Sequence, residues 1–390
     1  MKEVYLDNNA TTPIAPEVTE AMQPFFTTEY GNPSSMHTIG GRVKKHLDRA
    51  REQLAALINA EPDEITFTSC GTESNNWALR GSLLAQPGKR HIVTTKVEHP
   101  AVLEVAAYLG SRGARVTQLF VDGDGLLNLD ELRAAITDET AIVSAMWANN
   151  ETGVLFPVEQ IAQKAKAAGA VFHCDAVQAV GKIPIDLQKV PIDLMALSGH
   201  KLHAPKGVGV LYIRKGTKLS PLLIGGHQEF GKRAGTENVP YIVGLGKACE
   251  LAAKFMEDEN TRVKALRDRL ETALLATCPN SKRNGHKELR LPNTANISFE
   301  FVEGEAILLM MDRFGICASS GSACTSGSLE PSHVMRAMGV PFTAAHGSIR
   351  FSLSRYNTDG DVDLVIRELP PIIARLREIS PFGVSEPAAA

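Results

Sequence analysis

The sequence predicts an α/β protein with a large domain and a smaller α+β domain. From about residue 42 to 215, amphipathic helical stretches alternate with short apolar runs, the pattern of a mostly parallel sheet with crossover helices. A long helical stretch from about Val239 to Leu275 links this part to the rest of the chain. Strands and helices in a different order follow it, which is typical of a separate domain.

The elements of the large domain follow from its apolar pattern. Apolar residues recur at helical spacing between Val43 and Leu57, and EITFTS (64 to 69) has the composition of a strand. The next helix opens with GTESNNWALRGSLL. The alternation then repeats: HIVTT is followed by EHPAVLEVAAYLGSRG, AIVSAMW by a turn and VEQIAQKAKAAG, and AVFHCDA by the run DLMALS.

The smaller domain is predicted from the segments after Leu275. TANISFEF and IRFSLSR are typical of strands, and EGEAILLMMDRFG is typical of a helix. DVDLVIRELPPIIARLREIS predicts a final helix. Pro370 and Pro371 weaken that prediction, because proline lacks the amide N–H that a helix interior uses.

Composition excludes several classes of protein. The 390 residues are 44% hydrophobic and 22% charged, as in ordinary globular proteins and unlike disordered or fibrous ones. The net charge of -3 is spread without long runs, so neither nucleic acid nor a membrane is the expected partner. No apolar stretch is long enough to span a bilayer and no secretory leader is recognisable, so we expect a cytoplasmic protein. The six cysteines form no CxxC pair and fit neither a disulfide scaffold nor a zinc ribbon.

Polar side chains follow the predicted strands of the large domain at the points where the strands end. Because the carboxyl ends of parallel strands meet at one edge of a sheet, where open α/β folds place their ligands, we expect these side chains to converge. They are Gly71 and Thr72, Glu98 and His99, Asn149 and Asn150, Asp175 and Gln178, and Ser198, His200 and Lys201.

The residue types at these strand ends indicate pyridoxal 5'-phosphate. A lysine forms Schiff bases with carbonyls, a carboxylate keeps a pyridine nitrogen protonated, and an imidazole stacks on a flat ring or moves protons. The turn CGTESNN opens a helix, where free backbone N–H groups and the helix dipole favour a phosphate. Ser198 and His200 are placed to complete that anion site.

Each of these residues also has an ordinary structural interpretation. Asp175 could cap a helix, His99 could be a hydrogen-bonded core histidine, and Lys201 could be a solvated cation. His200 and His203 could bind a metal together with residues 173 to 175. Successive strand residues point to opposite faces of a sheet, however, so the sequence predicts no metal site.

Two further segments carry candidate residues. CASSGSACTSGSLEPSH (317 to 333) surrounds Cys324 with small hydroxyl residues and glycines, which is typical of a flexible linker or of a loop that displays a reactive thiol. Arg350, in the predicted strand IRFSLSRY, could form a surface salt bridge or bind a substrate carboxylate with two parallel hydrogen bonds. Asn32, in GNPSS, offers a further polar contact.

The whole chain resembles the cysteine desulfurases of the NifS/IscS group, within the class V aminotransferase family of fold-type I pyridoxal phosphate enzymes. The segment VPFTAAHGSIRFSLSRY is more similar to the NifS branch than to the IscS branch. The resemblance rests on YLDNNATTP, GNPSSMH, TSCGTESNN, VEHPAVL, NNETG, HCDAVQ, SGHKLHAPKG, RAGTEN, SSGSACTSGSLEPSHV and SIRFSLSRY, in this order along the chain.

The resemblance implies a domain organisation. A large cofactor-binding domain (15 to 257) contains a mostly parallel seven-stranded sheet flanked by helices. A small domain is formed by residues 1 to 14 and 258 to 390, and carries the catalytic cysteine loop at about 317 to 332. The loop resembles the long loop of the NifS/IscS group rather than the shorter one of the SufS group.

The resemblance also implies a role for individual residues. Lys201 holds the cofactor as a Schiff base, Asp175 pairs with the pyridine nitrogen, and His99 stacks on the ring and moves protons. Cys324 receives the sulfur as a persulfide. The remaining implied contacts are Gln178 with the phenolic oxygen of the cofactor, Gly71, Thr72, Ser198 and His200 with its phosphate, Thr236 with the phosphate across a homodimer interface, Asn150 with cofactor and substrate, and Arg350 and Asn32 with the substrate carboxylate.

The implied activity is conversion of L-cysteine to L-alanine with transfer of sulfur to Cys324. The sulfur is then delivered to an iron–sulfur scaffold of the NifU/IscU kind or another acceptor protein, including in nitrogenase maturation. Two alternatives stay open. One is another class V enzyme, a selenocysteine lyase or an aminotransferase, and the other is a non-enzymatic sulfur carrier that uses Cys324 alone.

Overall fold

The computed structural model describes residues 3 to 320 and 330 to 380, so Cys324 lies outside the described residues. The strands are β1 (Val4–Tyr5), β2 (Ile65–Thr68), β3 (His91–Thr95), β4 (Arg115–Leu119), β5 (Thr140–Met146), β6 (Val171–Asp175), β7 (Leu194–Ser198), β8 (Gly209–Ile213), β9 (Ser281–Arg283), β10 (Thr294–Phe299), β11 (Ile316–Cys317), β12 (Ser319–Ser320) and β13 (Ser348–Ser352). The α-helices are α1 (Pro16–Met22), α2 (Thr38–Ile58), α3 (Gly71–Leu84), α4 (Pro100–Ser111), α5 (Leu129–Ala135), α6 (Val158–Ala167), α7 (Val239–Asp258), α8 (Lys264–Thr277), α9 (Gly304–Asp312), α10 (His333–Ala337), α11 (Phe342–His346) and α12 (Asp359–Glu378).

The central sheet has seven strands within the described residues, in the order β2-β8-β7-β6-β5-β3-β4. The pairs from β4 through β3, β5 and β6 to β7 are parallel, and β8 runs antiparallel to both β7 and β2. The mostly parallel seven-stranded sheet expected from the sequence is therefore confirmed. Strands β5 and β7 are buried along their whole length, because helices cover both faces of such a sheet.

A second, antiparallel sheet follows in the order β12-β13-β10-β9, and β1 pairs in parallel with β11. Helix α12 passes through Pro370 and Pro371 without ending, although these prolines weaken the sequence prediction. Leu369, Ile372 and Ile373 are buried beside them, and this packing offsets the lost backbone hydrogen bonds.

The long helix that the sequence predicts between Val239 and Leu275 contains a π-helical turn, Glu259–Val263, between α7 and α8. The turn places Glu259 and Val263 in buried positions. The large apolar core ends before this turn at Ala252, and a second core begins at Val263 and also contains Val4 and Leu6. We propose that the two domains, 15 to 257 and 1 to 14 with 258 to 390, divide at this change of core.

The division is not complete along the chain. Leu291 and four residues between 334 and 345 pack in the large core although they follow the π-helical turn in sequence; the four are Val334, Met335, Met338 and Ala345. Residues 334 to 345 are thereby fixed to the large domain. Within the two described ranges, no helix combines the length and the apolar character needed to cross a membrane.

The structure makes one prediction about pH and stability. His173 is fully buried in β6, its Nδ1 lies 2.8 Å from Ser144 Oγ, and burial lowers its pKa to about 3. An unfolded histidine has a pKa of about 6.5, so between these values the unfolded chain binds the extra proton. The free energy of unfolding should therefore fall as the pH falls below about 6.5, with about 1.4 kcal/mol per pH unit from this residue.

Denaturant unfolding of the wild type and of His173→Asn at several pH values from about 7.5 down to about 5 tests this prediction. On the acid side, the free energy of unfolding of the variant should change less steeply with pH than that of the wild type. The difference in slope should correspond to one bound proton. Equal slopes for the two proteins would contradict the assignment.

Candidate active site

A cavity of about 460 Å³ opens at the carboxyl edge of the central sheet. It lies where β2, β3, β5, β6 and β7 end, as the sequence predicts for convergent strand ends. The sequence-predicted residues that line it are Gly71, Thr72, His99, Asn150, Asp175, Gln178, Ser198, His200, Lys201 and Arg350.

Lys201 ends a short 3-10 turn that follows β7 directly. Its Nζ donates hydrogen bonds to the main-chain oxygens of Asn9, at 2.5 Å, and Ala10, at 2.6 Å. The half-buried Lys201 amine is therefore held at the cavity wall by the N-terminal segment of the chain. The turn itself requires glycine at position 199, because a Cβ there would lie 2.8 Å from Val208 Cγ1 and 3.1 Å from Val208 O.

Asp175 ends β6 with only 6% of its surface exposed. Its Oδ2 accepts a hydrogen bond from Asn75 Nδ2 at 2.7 Å, and its Oδ1 accepts one from the Val177 N–H at 3.0 Å. The carboxylate is thus fixed in one orientation at the cavity. Sequence reasoning missed Asn75, although it lies one helical turn after Gly71 in the segment CGTESNN and so shares the cavity face of α3.

His99 caps α4 and is exposed where it lines the cavity. Its Nδ1 accepts a hydrogen bond from the Ala101 N–H at 3.0 Å, so the neutral ring carries its proton on Nε2. Desolvation lowers the pKa of His99; Asp175 opposes this shift, and Lys201 and His333 add to it. The ring is therefore neutral at neutral pH and is suited to stacking and to donating from Nε2, while protonation of Nδ1 would break the helix cap.

The predicted phosphate site lies at the N-terminus of α3, whose 14 residues begin at Gly71. A Cβ on Gly71 would lie 2.9 Å from Val177 Cγ2, so the close approach of the two segments requires glycine. Desolvation, with contributions from nearby lysines, lowers the pKa of His200 to about 4, and its Nδ1 lies 3.2 Å from Thr11 Oγ1. With Thr72 and the buried Ser198, these groups form a set of donors suited to an anion.

Arg350 comes from β13 of the smaller domain and is 8% exposed. Its Nη1 donates to Asn150 O at 3.0 Å and its Nη2 donates to Asp7 Oδ1 at 2.7 Å. Its Nε is buried and has no hydrogen-bond partner among the described residues. The guanidinium is therefore fixed at the cavity, where its positive charge suits a carboxylate ligand.

Gln178 lines the cavity, but its carboxamide is engaged on both sides. Its Nε2 donates to Asn9 O at 2.9 Å, and its Oε1 accepts from Lys182 Nζ at 2.9 Å. Asn9 is 1% exposed and was not identified from the sequence as a site residue. One main-chain oxygen, that of Asn9, accepts hydrogen bonds from both Gln178 and Lys201.

Two strand-end residues have structural roles. Glu98 is fully buried, and its Oε1 accepts hydrogen bonds from Thr95 Oγ1 at 2.7 Å and the Met146 N–H at 3.0 Å. Desolvation raises the pKa of Glu98 to about 8, so its carboxyl is protonated at neutral pH. The side-chain oxygen of Asn149 accepts from the N–H groups of Glu151 and Thr152, which closes a turn.

Two predicted residues that the structure describes, Asn32 and Thr236, are not brought to this cavity within one chain. Asn32 is exposed, and its Oδ1 accepts from the Ser34 N–H at 2.9 Å. Thr236 is exposed on the loop after β8. Cys324 lies outside the described residues, but Ser319 and Ser320, which precede it, line the cavity.

The loop that carries Thr236 is anchored by buried charge. Arg51 and Glu229 form a two-pronged ion pair, with N–O distances of 2.8 and 2.9 Å, and both residues are buried. Further along the loop, Arg233 binds Glu73 in the first turn of α3 at 2.8 and 3.1 Å. The loop is thereby joined both to α2 and to the predicted phosphate turn.

Residues 4 to 365 match the family Aminotransferase class-V, and the chain belongs to that family. It is 61% identical to cysteine desulfurase 2 of Trichormus variabilis, over 98% of this chain and 96% of the relative. It is 59% identical to cysteine desulfurase NifS of Azotobacter vinelandii, over 98% of this chain and 95% of the relative. A solved structure of a NifS-like protein superposes with a TM-score of 0.90 at 39% identity, covering 96% of this chain and all of that chain.

Class V aminotransferases and NifS-like cysteine desulfurases depend on pyridoxal 5'-phosphate, and the residues of the cavity fit this cofactor. An amine, a fixed carboxylate, a neutral imidazole and an anion turn face one space of about 460 Å³. Among residues 3 to 320 and 330 to 380, no group of three or more histidine, cysteine, aspartate and glutamate side chains is arranged to hold a metal ion.

Proposed function

We propose that this protein is a pyridoxal phosphate-dependent cysteine desulfurase that converts L-cysteine to L-alanine and transfers the sulfur to Cys324. The observation that carries the proposal is the meeting of Lys201, Asp175, His99 and Arg350 around one cavity. The chain also leads from that cavity, at Ser320, into the segment that contains Cys324. Four residues of extended chain span at most about 14 Å, so the thiol is tethered close to the cavity.

The cavity residues divide the binding of the cofactor among them. Lys201 would hold its aldehyde carbon, Asp175 would pair with the pyridine nitrogen, and His99 would cover the ring. When bound, the cofactor supplies an electron sink for the bond broken at the substrate Cα. The phosphate would be held by Gly71, Thr72, Ser198 and His200, and the phenolic oxygen of the cofactor would be held by Gln178.

The substrate would be oriented by its carboxylate. Arg350 would offer its guanidinium, which the ion pair of Nη2 with Asp7 Oδ1 keeps in place at the cavity. Asn150, and Asn32 from an exposed loop, would complete the contact. This orientation presents the Cα–H bond to the Lys201 amine, which takes the proton as a general base.

Cys324 would then attack the substrate sulfur as a thiolate. A bond forms between the two sulfur atoms, the carbon–sulfur bond breaks, and its electron pair stays with the carbon skeleton, which takes up protons and leaves as alanine. An ordinary thiol has a pKa of about 8.5, so only a few per cent is ionised at neutral pH. Because His99 Nδ1 already accepts the Ala101 N–H, this ring is a poor acceptor for the thiol proton in the described arrangement.

The persulfide sulfur would be delivered to an iron–sulfur scaffold protein of the NifU/IscU kind in the cytoplasm. Similarity to a desulfurase named NifS over nearly the whole chain supports a role in nitrogenase cluster assembly. The segment VPFTAAHGSIRFSLSRY points to the same branch.

We also propose that the active form is a homodimer. Thr236 and Asn32 lie on exposed loops outside the cavity of their own chain, and large apolar side chains beside them in sequence are exposed, including Ile224 at 93% and Met36 at 105%. A second copy that covers these loops would receive Thr236 in its own cavity. Light scattering should give twice the chain mass of 42.0 kDa, and a mass of 42.0 kDa at working concentration would contradict the dimer.

The function is tested with Lys201→Ala and Cys324→Ala. The Lys201 variant should lose or alter the visible absorbance of the bound cofactor. The Cys324 variant should keep the absorbance. Its release of alanine and sulfide from cysteine should be slower than that of the wild type by a factor of about a hundred or more, because the acceptor of the sulfur is missing. Cys317→Ala is the matched control, since this half-buried thiol lies outside the cavity, in β11, and should leave the rate unchanged.

Two outcomes would overturn the proposal. Sulfide release by Cys324→Ala at the wild-type rate would indicate a direct lyase or an aminotransferase. Failure of the wild type to take up pyridoxal phosphate would indicate a sulfur carrier without enzymatic activity.

A further inference from the structure

Lys182 is a buried lysine that the proposed mechanism does not use. It is 6% exposed and lies one helical turn beyond Gln178, in the turn that follows β6. A lysine is very seldom buried to this extent unless its ammonium group has hydrogen-bond partners. Its Nζ donates to Gln178 Oε1 at 2.9 Å and to Asn9 Oδ1 at 3.4 Å.

These contacts determine which end of the Gln178 amide faces which partner. The two ends of a carboxamide have nearly the same shape, and only the hydrogen bonds decide between them. A lysine ammonium can only donate, so it selects the Gln178 oxygen. The Gln178 Nε2 then donates one proton to Asn9 O at 2.9 Å and keeps a second N–H for a group in the cavity that Gln178 lines.

The surroundings keep Lys182 in this position. A small cavity of about 20 Å³ behind the active site is lined by Lys182, Lys201 and Glu259, and this volume holds about one water molecule. Glu259, buried by the π-helical turn, is the acidic group that faces Lys182, while Lys201 and Arg350 are the cationic groups nearby. Desolvation, and then the charge of Lys201, lowers the pKa of Lys182 to about 7, and desolvation raises the pKa of Glu259 to about 7.

We propose that Lys182 is a positioning residue that holds the Gln178 carboxamide with its N–H toward the phenolic oxygen of bound pyridoxal phosphate. The inference rests on the proposed function, because Gln178 is assigned to that oxygen there. A lysine donor at Gln178 Oε1 makes the opposite orientation unfavourable, since two donors would then face each other. The amide N–H in turn stabilises the anionic form of the phenolic oxygen.

The test is the pH titration of the visible absorbance of the cofactor-loaded protein. In Lys182→Met the Gln178 Oε1 loses its donor and the amide is held only through its Nε2 contact with Asn9 O, so its second N–H is held less firmly toward the cofactor, whose protonated form should persist to higher pH. We expect the titration midpoint to rise by about one pH unit. Lys189→Met is the matched control, because the Lys189 side chain is 82% exposed and the same substitution there should leave the midpoint unchanged.

A double-mutant cycle separates positioning from the loss of a positive charge. If Lys182 acts through the amide, then Lys182→Met should add nothing to the midpoint shift of Gln178→Ala. An equal shift in both backgrounds would show that only the charge of Lys182 matters, and an unchanged midpoint in Lys182→Met would show no influence at all. Either result would overturn the proposal.

A second variant covers the case in which Lys182→Met does not fold. Lys182→Gln then carries the same test, because the carboxamide introduced at position 182 can accept as well as donate and no longer selects the Gln178 oxygen. The titration requires cofactor binding but no turnover. A wild type that binds no cofactor refutes the proposed function itself, whereas a loaded wild type with an unshifted variant refutes only the role of Lys182.

Discussion

The main-chain oxygen of Asn9 is the point on which the geometry of the site depends. It accepts hydrogen bonds from Lys201 Nζ and Gln178 Nε2, which come from two different strand ends of the large domain. The Asn9 side chain donates to Asn150 O at 3.2 Å and to Thr294 Oγ1 at 2.9 Å. A short N-terminal segment thus joins the cavity edge of the central sheet to β10 of the smaller domain. A shift of the sheet edge or of β10 would therefore move the Lys201 amine.

Charges of both signs meet in the cavity. Lys201 and Arg350 bring positive charge to it, and Asp175 and Asp7 bring negative charge. The titratable groups around them are held in their neutral forms, because burial lowers the pKa of His99 and His200 and raises the pKa of Glu98. Because these groups are neutral, the charges that an amino acid and a phosphate would meet are those of the Asp175 carboxylate, the Arg350 guanidinium and the Lys201 amine.

Much of this arrangement could be predicted from the sequence, for reasons of local physics. Helix α3 begins at Gly71 as predicted, since its start is set by a glycine turn and its course by apolar spacing. Strands β4 and β8 were not predicted: β4 is an edge strand with mostly exposed or half-exposed residues, and β8 follows a glycine-rich turn. The roles of Asn9 and Lys182 could not be predicted, because each depends on contacts between distant parts of the chain. Asn9 and Lys201, for example, are 192 positions apart.

Transfer of the sulfur of cysteine to Cys324 can be measured by mass spectrometry of the cofactor-loaded protein. The protein is mixed with L-cysteine without a reductant, and peptides from the chain are then weighed. We expect one added sulfur atom on the peptide that contains Cys324, which is lost on treatment with a thiol reductant and is absent when Lys201→Ala is used. A wild-type protein that releases alanine while Cys324 carries no added sulfur would rule out Cys324 as the sulfur acceptor.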